Sequence, residues 1–102
     1  MHAGEERDHA HAGRRLRPHE DVVSQRLGDA GVLIDMRTGR MFELNVTGVR
    51  IWELVVEGCS PDDAVLRLLQ EFSAAPDVLR AEVTALIEKL VSEGLLHAEP
   101  HG

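Results

Sequence analysis

Several chemically informative residue types are scarce or missing in this sequence. One cysteine, Cys59, is present among 102 residues, so no internal disulfide can form and a CxxC redox or zinc motif lacks its second thiol. Tyrosine is absent, and two phenylalanines and one tryptophan are too few for the stacking platforms of single-strand nucleic-acid binders. No apolar run approaches the roughly 20 residues of a membrane helix, and no apolar signal segment follows the charged N-terminus. We therefore expect a small cytoplasmic protein with no membrane contact, held together by packing alone.

Negative charge is in excess, and it is unevenly placed. Residues 1–20 are close to neutral because their arginines and carboxylates balance. Residues 21–102 carry seven basic and fourteen acidic side chains, so this part accounts for the formal net charge of −7. A surface of this charge repels phosphate backbones. A nucleic-acid partner is therefore not expected.

The two ends of the chain lack the apolar periodicity of a folded domain. Residues 1–20 mix His, Arg, Gly, Ala and acidic residues, and cannot bury enough surface to offset their ordering entropy. We expect a flexible tail over residues 1–20, one domain over residues 21–97 and a flexible C-terminus over residues 98–102. His9 and His11 could hold a metal ion weakly, but no cysteine or carboxylate closes a site around them. Neither a metal site nor a cofactor is predicted.

Short β-type runs separated by glycine-containing turns begin after residue 21. Turns at residues 28–31 and 37–40 lie between apolar runs and predict a three-stranded antiparallel meander. With a period of two, Phe42 and Leu44 share one face of the third strand, while Val32, Ile34 and Met36 share one face of the second strand. We expect helices to cover these two faces.

Helical spacing and helix-capping residues follow the third strand. Asn45 suits an N-cap, and the first helix is predicted over residues 46–57. Ser60 followed by Pro61 begins a second helix that reaches about Phe72, and Pro76 begins a third helix that ends at Gly94. The predicted order is β-β-β-α-α-α, an α+β fold. The inner stripe predicted for the third helix consists of Leu79, Val83, Leu86 and Leu90.

No catalytic constellation can be assembled from these residues. Histidine is absent between His19 and His97, so the commonest general base is missing from the predicted domain. Cys59 lies between two helices with no histidine or lysine nearby in the sequence, and it is expected to be a packed thiol rather than a nucleophile. Asp62 and Asp63 are explained by the dipole of the helix that they begin. We therefore expect a protein that is not an enzyme.

The predicted sheet and the last helix together suggest a binding surface. A three-stranded meander has two open edges, and Val78, Ile87 and Val91 make the last helix more apolar than one buried stripe requires. An open strand edge beside an apolar helix flank is a template for an incoming peptide strand. The extra apolar positions could equally cover the sheet or form a dimer contact. The residues alone leave both interpretations open.

A series of short motifs occurs in a fixed order between residues 21 and 97. The motifs are Val32-Leu33-Ile34-Asp35-Met36, Thr38-Gly39, Phe42-Glu43-Leu44-Asn45, Thr47-Gly48, Ile51-Trp52-Glu53-Leu54 and Gly94-Leu95-Leu96. This combination resembles the PqqD family. The phrase Thr-Gly-Val-Arg-Ile-Trp-Glu-Leu is more similar to free-standing members found with lasso-peptide and other peptide clusters than to members serving pyrroloquinoline quinone synthesis.

The resemblance implies a winged-helix-like domain that acts as a precursor-peptide recognition element (RRE) for ribosomally synthesised, post-translationally modified peptides (RiPPs). Such a chaperone-like domain binds its peptide and does not catalyse. In the family, the leader segment of the precursor adds as a strand beside the third strand, in the groove against the third helix. The core peptide is thereby presented to a modifying enzyme such as a radical SAM enzyme, a protease or a cyclase.

Position by position, the resemblance also implies site residues. The third strand corresponds to residues 40–45, and the groove-facing flank of the third helix adjoins its inner stripe. The implied peptide-binding residues are Arg40, Met41, Phe42, Glu43 and Leu44 on the strand, and Arg80, Val83, Thr84 and Ile87 on the helix. The implied structural residues are Asn45 as a cap, Gly48 at a close contact, Trp52 in the core and Gly94 at a helix end.

Two alternatives belong to other classes of protein. The second and third helices with a β-wing could form a winged-helix DNA-binding regulator, although acidic residues outnumber basic ones on the would-be recognition helix. A dimerisation or scaffold module would pair its open strand edge with that of a second copy. We therefore expect either a monomer or a strand-mediated homodimer.

Overall fold

A β-meander followed by three helices forms most of the molecule. The computed structural model describes residues 14–98. The strands are β1 (Leu16–Pro18), β2 (Val22–Leu27), β3 (Ala30–Asp35), β4 (Arg40–Leu44) and β5 (Leu96–Ala98), and the helices are α1 (Val46–Val56), α2 (Pro61–Glu71) and α3 (Pro76–Ser92). β2, β3 and β4 form an antiparallel sheet in that order, and β1 pairs antiparallel with β5. The predicted α+β fold is confirmed, and the order of its three helices follows the prediction.

The helices begin where the capping residues predict. The Asn45 side chain accepts a hydrogen bond of 2.8 Å from the backbone N–H of Gly48 at the start of α1. The Ser60 hydroxyl accepts one of 3.2 Å from the N–H of Asp63 at the start of α2. Both contacts satisfy donors that have no partner inside the helix. Pro61 and Pro76 each lie in the first turn of their helix, where a missing N–H is tolerated.

The core lies between the three helices and one face of the meander. Leu33 and Phe42 are cross-strand neighbours on this inner face, and both are buried with Leu44 and Trp52. The predicted face of Phe42 and Leu44 is thus confirmed. Gly31 lies on the same face, where an added Cβ would come within 2.9 Å of the Val49 side chain. The missing side chain therefore permits α1 to approach the sheet closely.

The inner face of β3 differs from the prediction. Leu33 is fully buried in the core, whereas Met36 is 62% exposed and Val32 lies outside the core cluster. The error has a physical cause, because apolar residues occupy both faces of β3 and the only charged residue of the strand, Asp35, is buried on the inner face. A period of two identifies a face only where the faces differ in polarity. The opposite, outer face exposes Val23 and Met41.

Asp35 is buried, and its carboxylate is satisfied by Arg37. The guanidinium donates two hydrogen bonds of 3.0 Å to the Asp35 carboxylate and a third of 3.0 Å to the Gly94 carbonyl. The side-chain hydrogen bond from Arg37 lowers the pKa of Asp35 below its ordinary value, although partial burial opposes the shift. Gly94 has a φ of +83°, a conformation that favours glycine. The turn after β3 is therefore attached to the end of α3.

The predicted limits of the domain need correction at both ends. Leu16–Pro18 forms a strand within the proposed tail and pairs with Leu96–Ala98, so the domain extends beyond residues 21–97. Leu16 is 2% exposed and belongs to the main core cluster. A single apolar residue among arginines has no periodicity, which is why the sequence pattern did not indicate this strand. The rest of the predicted tail, residues 1–13, and most of the predicted C-terminus, residues 99–102, lie outside the described residues.

None of the helices between residues 14 and 98 combines the length and the apolarity that crossing a bilayer requires.

Candidate functional site

β4 forms one edge of the meander and borders a groove. Its neighbour on one side is β3, and no other strand among residues 14–98 pairs with its outer side. Alternate backbone N–H and C=O groups along such an edge point away from the sheet and lack strand partners. The start of α1 and one flank of α3 form the rest of the groove. This site can therefore offer both backbone hydrogen bonds and side-chain contacts.

The groove has a volume of about 350 Å³ and an apolar floor. Leu44 and Ile51 contribute from β4 and α1, and Ala85 and Leu86 contribute from α3. The remaining lining residues are Glu43, Asn45, Gly48, Glu82 and Lys89. On α3 the lining positions are spaced by three or four residues, which places them on one side of the helix. The groove thus combines an apolar centre with charged margins.

One end of β4 is tied to the end of α3. The Arg40 guanidinium donates a hydrogen bond of 2.6 Å to the carboxylate of Glu93, the C-cap residue of α3. The same guanidinium lies over the ring of Phe42 at 5.0 Å from the ring centroid. Cation–π contact and ion pairing together hold Arg40 across the gap between strand and helix. Arg40 therefore bridges β4 and α3 at the start of the strand.

The five predicted residues of β4 have different surroundings. Glu43 and Leu44 line the groove. Arg40 bridges to Glu93, and Met41 is exposed on the outer face of the sheet. Phe42 is buried in the core beneath the strand. Only part of this set therefore has its side chains at the groove.

The four residues predicted on α3 do not line the groove. Val83 and Ile87 are 1% and 2% exposed and belong to the core. Arg80 donates a hydrogen bond of 2.9 Å to Asp62 of α2, and Thr84 is exposed outside the groove. The groove positions on this helix are instead Glu82, Ala85, Leu86 and Lys89, each two residues further along the chain.

This displacement has a simple origin in helix geometry. Two residues correspond to about 200° of rotation, so the predicted residues lie on other sides of the helix than the groove. Leu86 was assigned to the inner stripe and Ile87 to the outer flank, but Ile87 is buried in the core and Leu86 is only partly buried. The two adjacent side chains are equally apolar, so periodicity alone does not distinguish the core residue from the groove residue. The charged residues Glu82 and Lys89 beside Leu86 are the signal that could have done so.

A second groove lies at the opposite edge of the meander, beside β2. It has a volume of about 340 Å³ and is lined by Ser24, Trp52, Glu53, Val56 and Glu57. The Arg26 guanidinium forms an ion pair with Glu53 between β2 and α1. Glu53 lines this groove and is already paired, whereas neither Arg40 nor Glu93 lines the groove beside β4, so the β4 groove is the better candidate.

Other chemically reactive groups do not form a site. Cys59 is a free, partly buried thiol packed against the core, as expected for a structural cysteine. Between residues 14 and 98, no group of three or more His, Cys, Asp or Glu side chains is arranged to hold a metal ion. The candidate site is therefore defined by the β4 edge and the groove.

Two solved structures of the same architecture contain a leader peptide. The chain is similar to TbiB1 in complex with the TbiA(β) leader peptide, with 28% identity, a TM-score of 0.73, and coverage of 83% of this chain and 99% of that one. It is also similar to lasso peptide synthetase B1 complexed with the leader peptide, with 26% identity, a TM-score of 0.71, and coverage of 84% and 99%. These similarities place the fold among small proteins solved with leader peptides.

The family follows from a second comparison. The family model described as "Coenzyme PQQ synthesis protein D (PqqD)" matches residues 30–96. The chain belongs to the PqqD family, as the sequence motifs indicated. No curated protein sequence matches the chain.

Proposed function

We propose that this protein is a precursor-peptide recognition element that binds the leader segment of a ribosomally synthesised precursor. The segment adds as an extra strand to the outer edge of β4 and lies in the groove against α3. The observation that carries this proposal is the open edge of β4 beside an apolar groove. Main-chain hydrogen bonds to an edge strand supply affinity, and pockets for alternate side chains supply specificity. The leader peptides in the two similar complexes support the same assignment.

The bound precursor is then delivered to a separate enzyme. The protein itself is not a catalyst in this proposal, because its groove offers apolar and charged side chains but no nucleophile paired with a base. A protease, a cyclase or a radical SAM enzyme would act on the core peptide that extends from the groove. In this proposal, α2, α3 and the meander form the winged-helix-like arrangement that the family resemblance implies, and this arrangement serves peptide binding in the cytoplasm.

Mapping by NMR tests the location of binding. The probes are the TbiA(β) leader peptide and peptides selected against this protein from a random phage-displayed library. We expect amide shifts in Arg40–Leu44 and at Ala85 and Leu86, with little change in β2. Shifts confined to β2 and α1 would move the site to the second groove. Failure of both probes to shift any amide of β4 would refute the proposal.

Backbone methylation of a selected peptide tests strand addition directly. In a paired edge, only alternate peptide N–H groups donate to β4. N-methylation of one residue after another should therefore weaken binding at every second position and have little effect at the positions between. A loss of affinity without this alternation would show that the peptide does not bind as a strand.

A pair of neighbouring variants tests the groove. Ala85 lines the groove, and Thr84 is exposed outside it on the same helix. We expect Ala85→Arg to weaken peptide binding by an order of magnitude or more because its side chain occupies the groove, and Thr84→Arg to leave it nearly unchanged. Both substitutions add the same exposed side chain, so their thermal stability should match. Equal effects of the two variants on binding would show that this flank of α3 is not part of the peptide-binding site.

A further inference from the structure

Within residues 14–98, three charged side chains line the groove without a partner: Glu43 on β4, and Glu82 and Lys89 on α3. Glu82 and Lys89 are exposed on the groove side of α3, and within residues 14–98 neither forms an ion pair or a side-chain hydrogen bond. Five arginines elsewhere are engaged in the pairs Arg26–Glu53, Arg37–Asp35, Arg40–Glu93, Arg50–Glu71 and Arg80–Asp62. Lys89 is also the only lysine of the chain. A free acid and a free base therefore flank the apolar floor of the groove.

The spacing of these charges matches a short peptide strand. Glu82 and Lys89 are seven residues apart, which corresponds to about 10 Å along the helix axis, with Ala85 and Leu86 between them. Alternate residues of a strand point to the same face, so residues i, i+2 and i+4 span about 13 Å. The long side chains of glutamate and lysine can bridge the difference of about 3 Å between these two lengths. Three successive inward-pointing side chains of an added strand can thus meet Glu82, the apolar floor and Lys89.

The direction of β4 relates this spacing to the direction of a bound peptide. Arg40 at the start of β4 binds Glu93 at the end of α3, so Lys89 lies towards the start of the strand. Arg37, just before β4, also donates a hydrogen bond to the carbonyl of Gly94, just after α3. β4 therefore runs from the Lys89 end of the groove to the Glu82 end. An antiparallel strand pairs somewhat more stably than a parallel one, and added to β4 it would run from Glu82 to Lys89.

We propose that Glu82 and Lys89 select the peptide and its direction by charge. The preferred segment carries a basic residue, an apolar residue and an acidic residue at alternate positions, in that order from its N-terminus. The basic side chain pairs with Glu82, the apolar one covers Ala85 and Leu86, and the acidic one pairs with Lys89. A segment bound in the opposite direction places like charges together, which is unfavourable. This inference rests on the proposed strand addition to β4 and assigns it a direction and a ligand class.

Reversing the charges of Glu82 and Lys89 tests whether these residues select the peptide by charge. The probes are two peptides built on the strongest binder of the phage selection, with lysine, leucine and glutamate at alternate positions in one and the lysine and glutamate exchanged in the other. Exposed pairs of this kind contribute modestly, so we expect a preference of about threefold to tenfold for the lysine-first peptide. The double variant Glu82→Lys with Lys89→Glu should prefer the glutamate-first peptide. High salt should reduce both preferences because the pairs are exposed to solvent.

A control variant with charges reversed outside the groove shows whether the position of the charges in the groove matters. Glu88 and Arg67 are exposed and lie outside the groove. The double variant Glu88→Lys with Arg67→Glu leaves the net charge unchanged and should retain the original preference. Equal affinity of both peptides for the unmodified protein, or the same preference after reversal of Glu82 and Lys89, would overturn the charge selection. If the amides of β4 still shift in that case, the proposed function stands, whereas no shift at β4 with either peptide refutes both.

The single lysine permits a direct observation of the contact. A carbodiimide joins an amine to a carboxylate that is in contact with it, and Lys89 has the only side-chain amine of the protein. Mass spectrometry should identify a cross-link between Lys89 and the glutamate of the lysine-first peptide. This cross-link should be weaker with the glutamate-first peptide and absent from Lys89→Gln. Equal cross-linking of the two peptides to Lys89 would contradict the proposed direction.

Discussion

Leu86 and Ile87 are adjacent and similarly apolar, but they have different roles in the molecule. Ile87 is 2% exposed and packs in the core, whereas Leu86 is partly buried and lines the groove. Adjacent residues of a helix point about 100° apart, so one of them can face the core while the next faces the surface. The distinction between core and groove is therefore made at the level of single residues on α3.

Truncation of each of these two residues should separate stability from binding. We expect Ile87→Ala to lower the free energy of unfolding by about 2–5 kcal/mol, because a cavity remains in the core. Leu86→Ala should cost less stability but weaken peptide binding more at a temperature where both variants are folded. Chemical denaturation and peptide titration measure the two effects. A larger stability loss for Leu86→Ala than for Ile87→Ala would contradict the observed rotation of α3.

The buried carboxylate of Asp35 should make part of the stability dependent on pH. Its pKa lies below the ordinary value of 3.8 because Arg37 donates hydrogen bonds to the ionised form. The ionised group therefore stabilises the fold at neutral pH, and this contribution is lost as the pH falls from about the ordinary pKa through the lower pKa of the folded state.

Asp35→Asn provides the test of this dependence. The variant should be less stable than the unmodified protein at pH 7, and the difference in unfolding free energy should shrink as the pH falls below 3.8. Other carboxylates, including Glu71 with its lowered pKa beside Arg50, are common to both proteins and largely cancel in the difference. Denaturation of both proteins at a series of pH values measures this difference in unfolding free energy. A difference that does not change with pH would show that the charge of Asp35 has no role in stability.

At the scale of elements, the short strand β1 joins the N-terminal part of the domain to its C-terminal strand. It pairs with β5 and contacts α1, and it contributes Leu16 to the core. The backbone N–H of His19 donates a further hydrogen bond of 2.9 Å to the carbonyl of Leu95. Residues distant in the sequence thus hold the two ends of the domain together.

A matched pair of leucine substitutions tests the contribution of β1. Leu16 is 2% exposed and Leu27, at the end of β2, is 57% exposed. We expect Leu16→Ala to lower the free energy of unfolding by about 2–5 kcal/mol, and Leu27→Ala to change it by about 0.5 kcal/mol or less. Thermal or chemical denaturation measures both. Equal, small effects would show that β1 does not stabilise the domain and would restore the tail predicted from the sequence.

At the scale of the whole molecule, the distribution of charge argues against DNA binding. α3 carries the exposed carboxylates Asp77, Glu82 and Glu88, and its residue Arg80 is already bound to Asp62. A recognition helix needs several cations free to neutralise phosphates. The surface of α3 is therefore unsuited to a DNA groove.

Titration with duplex DNA checks this conclusion. We expect no binding at physiological salt by fluorescence anisotropy, and weak, sequence-independent binding at most when the salt is lowered. Selected peptides should bind under the same conditions, which controls for the activity of the preparation. Specific, saturable DNA binding at physiological salt would favour the winged-helix regulator instead.

The sequence by itself determined the elements and the family. Capping residues such as Asn45 and Ser60, first-turn prolines and turn glycines act locally, so the bounds of the three helices and the meander follow from short-range chemistry. The ordered motifs from Val32 to Leu96 indicated the PqqD family, and the family model confirms it. The third strand of the meander was also assigned correctly as an edge, because the meander order places it there.

Only the tertiary structure decided which residues the groove presents. The faces of β3 and α3, the pairing of Leu16–Pro18 with β5, and the burial of Asp35 all depend on contacts between distant segments. Where both sides of an element are apolar, as around Leu86 and Ile87, periodicity has no contrast from which to choose the buried side. Packing of the helices against the sheet makes that choice, because one arrangement fills the core and leaves the other side chains at the groove.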